Sequence, residues 1–139
     1  MQRLQPSGWA EPKGYANGIS AEGRLVFVAG QVGWDEHETF QAHDFIGQVR
    51  RCLENTLTVL AEADAGPEHV VRMTWYITDR EEYMNNLESM GQVYRELMGR
   101  HFPAMSMVEV AALIEPEATV EVETTAVVPV ERTEGVSNR

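Results

Sequence analysis

Cysteine is almost absent from these 139 residues: Cys52 stands alone, so no internal disulfide is available and no cysteine-based metal set can form. The four histidines, His37, His43, His69 and His101, lack ligand spacing, which argues against a metal site. Phosphate-cradling glycine loops of the Gly-x-x-x-x-Gly-Lys-Ser/Thr and Gly-x-Gly-x-x-Gly types are missing, as is a Gly-x-Ser-x-Gly elbow, so no cofactor is expected. No apolar run approaches the ~18 residues of a membrane span, and residues 1–6 lack the apolar core of a secretion signal. Neither membrane association nor export is expected, and a reducing cytoplasmic compartment suits the lone thiol, which reads as a buried inert side chain on a helix. Basic residues are scarce: 11 Lys and Arg stand against 22 Asp and Glu, a formal charge of −11. Nucleic acid is therefore not an expected partner, because a phosphate backbone is held chiefly by Lys and Arg. The one basic doublet, Arg50-Arg51, falls in a helical pattern and reads as a solvated face.

What is present reads as one domain, residues 1–139, with 1–12 and 131–139 irregular; this length buries roughly two-thirds of the surface of the unfolded chain. Residues 14–20 and 24–30 read as a strand pair around Ala21-Glu22-Gly23, and residues 31–41 as a loop with Trp34 as its chief aromatic. Asp44 is placed to cap a helix whose apolar positions Phe45, Val49, Cys52, Leu53, Thr56, Leu57 and Leu60 keep helical spacing up to Gly66-Pro67. Residues 70–78 alternate as a half-buried strand. Asp79, with Glu82 three residues on, opens a second helix with a stripe of Tyr83, Leu87, Met90, Tyr94 and Leu97 before Gly99.

The last two segments, 102–113 and 119–128, read as a hairpin. Period-two alternation separates Ser106, Val108, Val110 and Ala112 from Met105, Met107 and Glu109, and separates Val120 and Val122 from Glu121 and Glu123. The valine faces are expected to meet the helices, leaving Met105, Met107, Glu109, Glu121 and Glu123 together on the other face. A methionine-bearing face that two helices cannot cover points to oligomerisation. The order β-β-α-β-α-β-β implies an α+β domain, one mixed sheet with both helices on a single face.

Phe-Pro-Ala-x-Ser-x-Val-x-Val-Ala-x-Leu at 102–113 followed by Val-Glu-Val-Glu-x-x-Ala at 120–126 resembles the RidA/YjgF family of reactive intermediate deaminases, and the resemblance spans most of the chain. It implies the chorismate mutase-like RidA fold, a homotrimer with small-molecule sites in intersubunit clefts, and hydrolysis of short-lived enamines and imines such as 2-aminoacrylate to keto acids and ammonia. It also implies roles for particular residues. Glu121, the first Glu of Val-Glu-Val-Glu, matches the carboxylate that positions water; a carboxylate in a partly apolar pocket is a sensible acid/base group for this chemistry. Tyr15, after Gly14, matches a tyrosine that borders substrate, and it reads equally as an aromatic packed at an interface. Ala29-Gly30-Gln31-Val32-Gly33 is similar to the family's Ser-Gly-Gln-x-Pro turn, with Ser and Pro replaced.

At one position the chain departs from the pattern in a way that bears on substrate. Where imino-acid hydrolases of the family carry the arginine that clamps the substrate carboxylate, this chain has Met105. A charge-assisted bond contributes about 1.5–3 kcal/mol, so a small 2-imino acid is expected to lose roughly tenfold to a hundredfold in affinity. Met105 and Met107 make the expected pocket soft and apolar. Trp34 and Tyr15 would add aromatic walls suited to a larger or ring-bearing imine, and Lys13 is a possible substitute cation. The expected site is thus Glu121 as catalytic group, with Tyr15, Gly30, Trp34, Met105 and Met107 binding substrate. The alternative is a trimeric small-molecule or protein binding module without catalysis, which has no evident need for Glu121.

Overall fold

The computed structural model describes residues 1–131. Its main sheet has four strands in the order β3-β6-β4-β5: β3 is Arg24–Val32, β4 Val70–Ile77, β5 Ala104–Glu109 and β6 Val120–Val128. β6 is antiparallel to both β3 and β4, while β5 runs parallel to β4. A separate two-stranded ribbon pairs β1, Gln2–Leu4, with β2, Gly18–Ser20. The helices are α1, Phe45–Ala61, α2, Arg80–Met84, and α3, Leu87–Met98. α1 packs on β3, β6 and α3, which makes the α+β layer expected from the two apolar stripes.

The sheet order corrects both expected hairpins. β4 lies between β5 and β6, so the last two strands are not neighbours. Burial explains the arrangement. β6 buries Val120, Val122, Thr124, Ala126 and Val127, and β4 buries Val70, Met73, Trp75 and Ile77, so these two take the centre. β5 has no fully buried residue and forms an edge. The connection between them crosses the end of β4, where Val110 N–H bonds Ile77 O and Thr78 N–H bonds Thr119 O. At the other end of the chain, β2 turns to β1 and leaves β3 free to pair with β6 along nearly all its nine residues. Residues 1–12, expected to be irregular, thus contribute a strand; the expected irregular tail lies, from residue 132 on, outside the described residues.

The parallel register also inverts the expected faces of β5. Met105 pairs with Met73 and Met107 with Trp75, both buried beneath the helices, so Met105 and Met107 point to the helix side. Val108 falls on the open face and is 44 % exposed. A shift of one residue in phase exchanges every side chain of a strand, and at an edge strand the long methionines, not the valines, reach the gap beneath α3.

Helix α1 follows the expected stripe, and the Asp44 carboxylate accepts from Gly47 N–H at 3.0 Å. Its buried surprise is Gln48. The Gln48 amide donates to Ala42 O and Glu117 O and accepts from Thr119 N–H, so one side chain joins both long loops to the helix. Asp79 caps the second helical segment by accepting from Glu82 N–H, yet that segment breaks at Asn85-Asn86, where the Asn86 amide bonds Glu82 O. Asparagine side chains compete with the helix ladder in this way. Tyr83 and Leu87, expected in the core, consequently sit at its margin, and Leu87 is largely exposed.

Candidate functional site

Two groups of the expected site residues lie on opposite faces of the sheet. The first surrounds a cleft of about 300 Å³ between β5, α3 and the segment before β2. Trp75, Met105 and Met107 come from the sheet, Tyr83, Leu87 and Met90 from the helical segment, and Lys13 and Gly14 from the chain that runs beside β5. That chain is fixed by Ala16 N–H bonding Pro103 O at 3.0 Å and by the Ala16–Ala104 bridge, which sets Lys13, Gly14 and exposed Tyr15 at the open edge of β5. Tyr94 stacks on Phe102 with ring centroids 5.5 Å apart, and its hydroxyl donates to His101 O at 2.8 Å. Burial pushes the Tyr94 phenol above its ordinary range, so it stays a neutral donor.

The second group is on the open face. β3 carries a bulge between Val28 and Gln31; Glu121 pairs with Val32, and its side chain reaches back along the strand to Gly30 inside the bulge. A Cβ at Gly30 would fall 2.2 Å from Glu121 Oε2. The carboxylate therefore occupies space that any other residue at position 30 would fill, a use of a bulge glycine to admit close approach. Glu121 is half-buried, cross-strand from Tyr76. The Tyr76 hydroxyl donates to Glu123 Oε1 at 3.3 Å, and the charge of Glu123, ahead of burial, raises the Tyr76 phenol.

Gly30 and Glu121 are therefore brought together, as are Met105 and Met107, but the expected single face carrying Glu121 with both methionines does not exist within one chain. Trp34 belongs to neither group. It packs on Phe40 with centroids 5.8 Å apart in a small cluster with Val32, Leu113 and Ala118, and its carbonyl accepts from Asn55 Nδ2 and Arg51 Nε. Its carbonyl fastens the loop to α1. Arg51 is thereby committed, with a further bond to Glu36, and Arg50 pairs with Glu96 at 2.7 Å. The basic doublet is engaged in ion pairs rather than simply solvated. A Cβ at Gly33 would lie 2.8 Å from Gln48 Cα, so glycine is what lets the loop pass this close to α1.

Cys52 is fully buried, with its sulfur 3.7 Å from Val120 O, and desolvation raises its thiol far above the ordinary range. Among the described residues no group of three or more His, Cys, Asp or Glu side chains could hold a metal, and no helix is long and apolar enough to cross a membrane. Arg95, which also lines the cleft, was missed by sequence reasoning. The signal was present in the helical spacing Leu87, Gly91, Arg95, an i, i+4, i+8 row that leaves the apolar stripe at Leu87.

Comparison with known proteins adds to this geometry. Residues 9–128 match the family model described as Endoribonuclease L-PSP. The chain is similar to the RutC family protein UK114 of Drosophila melanogaster, 31% identical over 116 residues, 82% of this chain and 80% of that one. Its structure resembles that of YyfB from Yersinia pestis, a Rid-family protein of unknown function, with TM-score 0.81 and 29% identity over 91% of this chain and 98% of the other. It also resembles Escherichia coli TdcF solved with bound serine, with TM-score 0.64 and 26% identity over 91% and 98% of the two chains. The name of TdcF describes a reactive intermediate deaminase.

Proposed function

The chain belongs to the RidA/YjgF family, that of the Endoribonuclease L-PSP model, and from that premise we propose that it hydrolyses a reactive enamine or imine without a cofactor, in a cleft completed between subunits of a homotrimer. The observation that carries this reading is the Glu121 carboxylate seated against Gly30. Imine hydrolysis needs a water delivered to an electrophilic carbon and a proton delivered to nitrogen, and a held carboxylate serves both steps. Glu121 takes a proton from the attacking water and returns one to the departing amine, so the group ends each cycle as it began.

The opposite-face placement is what makes assembly part of the proposal. Met105 and Met107 line one cleft and Glu121 stands on the other side of the sheet, so the two groups meet only if a neighbouring subunit supplies one of them. The open face offers a surface for such a contact: Phe27 is 73 % and Leu25 59 % exposed, unusual for large apolar side chains on a strand. Tyr15, at the edge of β5 beside the cleft, would then border the substrate. The ribonuclease sense of the family description finds little support, since the chain carries a formal charge of −11 and its one basic doublet is committed to ion pairs.

Substrate is read from Met105 and Met107. Without an arginine on β5, small 2-imino acids lose their anchor there, and an imine with a larger apolar body fits the cleft better. The test is Glu121→Gln, which keeps shape and removes proton exchange. Ammonia release from a panel of aliphatic and aromatic imines should fall ~100-fold to ~10,000-fold, with melting temperature and assembly retained. Equal rates on a well-turned-over substrate would remove Glu121 from the mechanism. Tight ligand binding with no turnover by either protein would favour the binding module instead.

A further inference from the structure

The cleft beside Met105 is locally cationic in an acidic chain. Its lining includes Lys13 and Arg95 and no Asp or Glu, against a formal charge of −11 for the whole protein. Among the described residues neither head group is held in an ion pair or a side-chain hydrogen bond, whereas Arg3, Arg50 and Arg51 each hold a carboxylate. Both side chains are exposed, and so available to a ligand.

Gly91 supplies a second, independent observation. It lies one turn before Arg95 inside α3, where glycine is unfavourable relative to alanine. A Cβ there would lie 3.1 Å from Arg95 Nη1, with Cζ at 3.9 Å. The guanidinium therefore folds back along the helix over Gly91, in the direction helical side chains lean, and Gly91 itself lines the cleft. The missing side chain gives the cation its place there. Beneath it the sheet contributes Trp75, Met105 and Met107, and Tyr83, Leu87 and Met90 complete an apolar wall.

We propose that Arg95, seconded by Lys13, is the specificity-determining cation of this cleft, selecting ligands with a carboxylate on a ring-bearing or branched apolar body. β5 offers no cation at Met105, and Arg95 offers one from α3 across the cleft, so the carboxylate is held at the far end of a longer molecule and not next to the reacting carbon. This inference rests on the reading of the cleft as the substrate site, and it deepens that reading by naming the substrate class.

The test is calorimetric binding of three unreactive probes to the assembled protein: 3-phenylpropanoate, its neutral amide, and pyruvate. The acid should bind about tenfold or more tighter than the amide, the worth of one charge-assisted contact, and pyruvate should bind weakest because it lacks the apolar body. Arg95→Gln should abolish the preference for acid over amide, Arg95→Lys should keep part of it, and Lys13→Gln should reduce it. All three variants alter exposed side chains and should keep the melting temperature. Equal affinity for acid and amide, a preference that survives the Arg95→Gln and Lys13→Gln double variant, or no binding of any probe would each overturn the proposal. Binding is read without turnover, so a protein that prefers the acid as stated and deaminates nothing would support this assignment while refuting only the hydrolase reading.

Discussion

Replacing Gly30 by alanine puts a methyl carbon 2.2 Å from Glu121 Oε2 and 2.8 Å from its Cδ. Ordinary contact between such atoms begins near 3.4 Å, so the carboxylate must retreat by roughly 1 Å, a displacement that typically costs a reaction ~100-fold in rate. The atoms that must move are the far end of a flexible side chain, not backbone. Gly30 does not use a left-handed φ, so alanine adds no backbone strain. Stability should accordingly change by less than ~1 kcal/mol, a shift of about 3 °C in melting temperature. The assay pairs ammonia release from an enzymatically generated imine with thermal melts, for Gly30→Ala, Glu121→Gln and the double variant. If Gly30 acts by seating Glu121, the double variant should be no slower than Glu121→Gln alone. A Gly30→Ala protein that keeps full activity while Glu121→Gln loses it would refute the seating argument. Equal further losses in the double variant would show that Gly30 acts on substrate and not through Glu121.

Three further outcomes are expected. Met105→Arg should raise activity on 2-aminoacrylate-type substrates, measured as keto acid release, because a guanidinium on β5 supplies a bidentate partner for a nearby carboxylate; a variant no more active on them than the unmodified protein would contradict the reading of Met105. Sedimentation equilibrium should give three times the chain mass of 15.6 kDa, and Phe27→Glu, by charging the open face, should shift it toward monomer and abolish activity; a Phe27→Glu protein that remains trimeric would move the interface elsewhere. Cys52 ties stability to alkaline pH: its thiol is raised in the folded state, so above the ordinary thiol pKa of 9.0 the unfolded chain loses a proton that the folded chain keeps, and stability falls as pH rises. Denaturant melts from pH 8 to 10 should show that decline in the native protein and less of it in Cys52→Ala.

Helix α1 and the central strand β4 were legible because their burial is periodic along the sequence: Phe45, Val49, Leu53 and Leu60 in α1, and Met73, Trp75 and Ile77 in β4, point one way at helical and strand spacing. Strand partners were not legible, because period two fixes only which residues share a face and says nothing of the neighbour. The valine-rich segments at 108–110 and 120–122 therefore read as a hairpin, although β6 buries Val120 and Val122 and β5 is an edge with Val108 exposed. Trp34 was placed for a similar reason: an aromatic in a polar loop reads as a ligand wall, although within the chain it packs on Phe40 beside Val32, Leu113 and Ala118. Arg95 was not legible because a charged residue beside the apolar stripe of α3 reads as solvated, although with Leu87 and Gly91 it lines the cleft.

The error about β5 changes the meaning of the site. With Met105 and Met107 on the face of Glu121, a single chain would hold a complete pocket, and assembly would be incidental to chemistry. Under the proposed hydrolysis their separation, with β4 between the strands and the sheet between the faces, would divide binding from proton transfer. The cleft under α3 has apolar surface and two cations but no carboxylate, whereas the Gly30 bulge has the carboxylate beside an open strand face. Each half lacks what the other has. A monomer could bind a ligand in the cleft without turning it over, so the two functions should separate on dilution: probe binding should persist in the Phe27→Glu monomer while deamination is lost. Parallel loss of both would mean that the cleft, too, depends on the neighbouring subunit for its shape.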